Sequence, residues 1–74
     1  MASRLTWENY RSTNPDKGTD EDIQSMIKDV VETIHTLERM YGTANAQLVV
    51  RALLVDWHTL AQIAGARGLT YERP

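Results

Sequence analysis

The chain has 74 residues, 42% of them hydrophobic, and 8 Lys and Arg against 10 Asp and Glu give it a formal net charge of -2. That length makes one domain, near the lower size at which a single core stabilises a fold by more than a few kcal/mol. The absence of Cys excludes disulfide staples, thiolate metal sites and thiol catalysis, and the slightly acidic balance supplies no general field for phosphate backbones or anionic lipid.

The first residues lack the charged-then-apolar profile of a secretory signal, and no apolar run approaches the roughly 20 residues of a membrane span. A cytoplasmic protein is expected. Residues 1 to 18 are polar and end in "STNPDKG", where Asn14, Pro15, Asp16 and Gly18 are turn formers. This stretch reads as an N-terminal arm, ahead of a helical domain over residues 19 to 74. Within it Leu5, Trp7 and Tyr10 have a spacing that suits a helical turn or a strand equally.

At Thr19 the pattern becomes periodic. Thr19 is placed to accept from first-turn amides, Asp22 follows three residues on as in a capping box, and three acids sit at the positive end of the helix dipole. A helix is expected over about 20–41. Its seam is Ile23, Ile27, Val30, Ile34, Leu37 and Tyr41, spaced alternately by four and three. Gly42 is the expected left-handed stop.

Thr43 is the expected N-cap of a second helix over about 44–67, where the same alternation recurs in Ala46, Val50, Leu53, Trp57, Leu60 and Ala64. The β-branched pair Val49-Val50 makes a strand the rival around "QLVVRALLV", but the apolar spacing runs on without a turn residue. Two matched seams joined by so short a turn predict an antiparallel helical hairpin, each arm about 33 Å long at 1.5 Å per residue. Leu48, Leu54 and Val55 lie outside the second seam. A helix apolar nearly all round is buried on more than one side, so these three residues predict a homodimer interface and a four-helix bundle. Closure of the same surface by Leu5, Trp7 and Tyr10 is the alternative.

The ending "QIAGARGLTYERP" places Ala64, Gly68 and Leu69 as in the first half of a helix-turn-helix. Only five residues follow Leu69 here, among them Pro74, so a recognition helix is not expected. A helix ending accounts for every residue instead. Gly68 takes the left-handed position, Arg67 lies at the negative dipole end, and Leu69 folds back onto Ile63 and Ala64. Removal of residues 71 to 74 is expected to matter little.

Chemistry has weak signals. Glu32 and His35 have the Glu-x-x-His spacing of di-iron bundles but project away from the seam, and Asp56 is the second helix's only carboxylate. His58 beside Asp56 does not face it on a helix. No nucleophile or phosphate loop accompanies them, so no catalytic or metal residue is assigned, no cofactor is expected, and an enzyme is not predicted.

Among the aromatics, Trp57 and Tyr41 are expected in core or end layers. Trp7 and Tyr10, flanked by Arg4 and Arg11, stand on the polar arm and form the candidate partner-binding site, since amphipathic aromatics and Arg are favoured interface anchors. The expected function is a small protein-binding regulator or inhibitor that occupies a partner's surface, of the kind common among phage and mobile-element accessory proteins. The alternatives are a DNA-binding regulator, although nucleic acid is disfavoured as a partner, and a metal-dependent bundle enzyme.

Overall fold

The computed structural model describes residues 7–10 and 14–74. Arg4, Leu5 and Arg11 lie outside them. All regular structure among the described residues is helical: α1 (Trp7–Tyr10), a 3-10 turn (Pro15–Lys17), α2 (Asp20–Tyr41) and α3 (Thr43–Ala66). The two long helices fold against each other as a hairpin.

Local chemistry sets each boundary. Asn14 caps the 3-10 turn by accepting from the Asp16 amide at 3.1 Å. One residue past Gly18, the Thr19 hydroxyl accepts from the Asp22 amide at 3.1 Å while the Asp22 carboxylate accepts from the Thr19 amide at 3.2 Å, completing the expected capping box. At the other end of α3, Gly68 has φ +72°, its amide donates to Gly65 O at 3.1 Å, and the Leu69 amide donates to Ala64 O at 2.9 Å. That pair of bonds is a Schellman ending, with Leu69 packed against the core as its apolar seal. The glycine therefore closes a helix.

The hairpin turn departs from expectation. Gly42 is the single residue between the helices, ending α2 through its amide to Glu38 O and serving as N-cap of α3. Its φ of 77° is positive, but ψ is 154°, an extended region open essentially to glycine and distinct from the left-handed helical one. Thr43 is already helical and provides no side-chain cap.

The core lies along the facing seams. Ile23, Met26, Val30 and Leu60 are its largest fully buried side chains, each contributing about 1.5–3 kcal/mol relative to exposure. Met26 and Val31 join the α2 seam, and Ala61 that of α3, because the apolar stripe is wider than one ladder. Toward the turn the seam thins: Leu37 and Val50 are half-buried, and Tyr41, expected in the core or an end layer, is 55% exposed. No third element packs there among the described residues. The described residues of the arm, 7–10 and 14–18, and the segment after α3 both lie at the opposite, open end.

Candidate functional site

Three surfaces surround this core, and they differ in how much of their apolar area is covered. The first is the solvent face of α3. In this 24-residue helix the charged residues are Arg51 and Asp56, and Asp56 is buried. Leu48 is 81% exposed and Val55 65%. Ala52 and Thr59, also exposed, continue the same ladder, spaced four, three and four along 48, 52, 55 and 59. The Thr59 hydroxyl donates to Val55 O at 3.1 Å, so its polar group is satisfied locally and its methyl remains. Arg51 is the charged side chain this helix exposes.

Leu54 does not belong to this face. At about 100° per residue it is rotated roughly a third of a turn from Leu48 and Val55, and it is half-buried against the core. Of the three residues expected in the dimer interface, Leu48 and Val55 therefore share one side of α3 and Leu54 lies on another. Apolar character alone does not separate the two sides; the ladder through Ala52 and Thr59 does. Around the turn, Met40, Tyr41 and Val49 are exposed as well, which extends the apolar surface from α3 toward the hairpin tip.

The second surface is the arm. Trp7 and Tyr10 occupy the one-turn helix α1 and are half-buried against the core cluster. A cleft of about 610 Å³ separates Tyr10, Pro15 and Asp16 from Asp56, Thr59 and Ile63. Packing therefore does make use of the two aromatics. Arg4 and Arg11, their expected flanks in a binding site, fall outside the described residues.

Arg67 ties the arm down. Its guanidinium donates to Gly18 O at 2.6 Å and to Asp16 O, and it pairs with the Asp20 carboxylate at 3.1 Å. The planar fork suits several acceptors at once. The sequence predicts only a favourable dipole contact for this residue, because a helix-end Arg gives no sign of partners some fifty positions away.

The third surface is the segment after α3, which turns back over the hairpin. The Trp57 indole N–H donates to Glu72 O at 3.0 Å, the Tyr71 ring meets Trp57 edge-on at 5.9 Å, and Gln24 Nε2 donates to Thr70 O at 3.4 Å. Residues 71 and 72 thus complete the environment of a buried Trp, contrary to the expectation that they are dispensable. His58 is exposed and meets Trp57 edge-on at 4.9 Å.

The residues weighed for chemistry remain dispersed. Glu32 and His35 are exposed on the outer side of α2, and no group of three or more potential metal ligands gathers among the described residues. Asp56 and His58 are not on one face: the first is buried and the second exposed. No helix among the described residues is long and apolar enough to cross a membrane.

Compared with models of known families, with characterised proteins and with solved structures, the chain matches none.

Proposed function

We propose that the protein is a cytoplasmic binding module, a regulator or inhibitor that acts by occupying a surface of another protein, and that it works as a homodimer. The observation that carries this reading is the apolar ladder on the solvent face of α3, with Leu48 81% and Val55 65% exposed and Arg51 as its charged flank. Stable domains pack at least two layers around a core, whereas the smallest principal extent of this chain is 15 Å. A second copy laid on the 48–52–55–59 ladder supplies the missing layer and makes a four-helix bundle. The small side chain of Ala52 allows the two helices to approach closely.

The dimer leaves apolar side chains at the hairpin tip for a different protein: Met40, Tyr41 and Val49. Arg39 lies beside Met40 and Tyr41 in sequence and suits a partner surface with acidic groups. Trp7 and Tyr10, with Arg4 and Arg11, are the second surface proposed for that partner. Half-burial makes them weaker anchors than the tip.

The test is capture from an extract of the native host, comparing the unaltered chain with Tyr41→Glu. Tyr41 is exposed, so the substitution keeps the fold. A protein enriched by the first and lost from the second supports the reading. Recovery of the same set by both would sink it.

A further inference from the structure

The segment over Trp57 is held in an unusual manner for a structural cap. Two side-chain donors, one from each long helix, reach it: Gln24 Nε2 to Thr70 O and Trp57 Nε1 to Glu72 O. Both acceptors are backbone carbonyls two residues apart, the pair that an extended chain turns to one side. Recognition of this kind reads the backbone and leaves selectivity to one or two side chains. Here those are the Tyr71 ring against Trp57 and the Glu72 side chain, which shares a pocket with Lys28.

The strap does not seal against the helices on either side. On the α3 side a groove of about 650 Å³ lies between Tyr71, Arg73 and Pro74 of the strap and Trp57, Ala61 and Gly65. On the α2 side a pocket of about 290 Å³ lies between Thr70, Tyr71 and Glu72 of the strap and Gln24, Ile27 and Lys28. Residues 70 to 74 are themselves exposed.

We propose that this berth is a peptide-binding groove that takes an extended segment of a partner protein carrying an aromatic residue followed by an acidic one, and that Thr70, Tyr71 and Glu72 hold the place in cis. The cis occupant supplies the recognition chemistry: carbonyls for Gln24 and Trp57, a ring for the edge of Trp57, and a carboxylate for the side lined by Lys28. A partner segment must displace the strap, so the apparent affinity is the intrinsic affinity multiplied by the fraction of time the groove is open. The groove lies on a different side of α3 from Leu48 and Val55 and does not depend on what covers them.

The test uses the full chain and a fluorescein-labelled peptide Leu-Thr-Tyr-Glu-Arg-Pro, followed by fluorescence polarisation. Tyr71→Ala loosens the strap while leaving the α2 and α3 walls of the groove unaltered, and is expected to bind the peptide roughly tenfold more tightly than the unaltered chain. Adding Gln24→Ala should reverse that gain, and peptides with Ala for Tyr or Lys for Glu should bind poorly. A folded Tyr71→Ala that gains nothing overturns the proposal, as does a gain that survives Gln24→Ala. Should Tyr71→Ala fail to fold, the unaltered chain decides: millimolar peptide must shift the NMR resonance of the Trp57 indole N–H, and an unmoved resonance overturns the proposal. Dissociation of a dimer by the peptide would instead name a second copy's strap as the occupant and overturn the heterologous one.

Discussion

The Arg67 guanidinium, at the end of α3, donates to the carbonyl oxygen of Gly18, 49 positions earlier, at 2.6 Å. With its further bonds to Asp16 O and the Asp20 carboxylate it fixes the 3-10 turn and the start of α2 against the end of α3. Arg67→Ala is expected to cost about 1–3 kcal/mol, since it leaves a part-buried carbonyl short of a charged donor. The pair with Asp20 adds little to this, because Asp20 is largely exposed. Arg67→Lys should recover only part of the loss, lacking the fork. Urea unfolding checks both variants, and equal midpoints for Arg67→Ala and the unaltered chain would show that the clasp adds no stability.

Gly42 and Gly68 separate conformational cost from steric cost. A Cβ at either position meets nothing within 4 Å, so any penalty is in the backbone. Gly42→Ala, at φ 77° and ψ 154°, should destabilise by about 1–3 kcal/mol, and Gly68→Ala by about 1 kcal/mol. Thermal melts followed by circular dichroism rank the two. A Gly68→Ala more damaging than Gly42→Ala contradicts this ordering.

The arm gives a third expectation. Trp7 is half-buried against the core, so Trp7→Ala should lower stability by about 2 kcal/mol, below the 3–5 kcal/mol of a fully buried aromatic. Differential scanning calorimetry reads it. An unchanged melting temperature would return Trp7 to the role of a free anchor for a partner.

For assembly, sedimentation equilibrium at micromolar concentration is expected to give twice the chain mass. Val55→Glu should restore the monomer with its helical circular dichroism retained, while Leu54→Ala, on another side of the helix, should act through stability alone. A monomeric wild-type chain at high concentration rules the dimer out.

Much of this architecture is legible in the residues. The capping box at Thr19, the Schellman ending at Gly68 and both seams follow from local chemistry and a period of 3.6, which act within one or two turns. What is not legible depends on distance along the chain. Periodicity places Arg67 at a helix end and Trp57 in a core, yet their hydrogen-bond partners, Gly18 and Glu72, come from segments without periodicity. Tyr41, 55% exposed, escapes for a related reason: a seam position is buried only where a neighbour stands at that height. At the turn Gly42 leaves room for none.

The distribution of fastenings has a consequence for motion. Arg67 to Gly18, Trp57 to Glu72 and Gln24 to Thr70 all lie at the open end of the hairpin, where the fully buried Ile23, Met26 and Leu60 also sit. An ordinary helical hairpin frays from its two loose ends inward. This one is laced at those ends, so opening begins in the middle of the sequence: amides from 38 to 48 should exchange with solvent before those of 23–30 and 57–64. The tip that carries Met40, Tyr41 and Val49 is then also the part of the molecule that can change shape at least expense to the rest.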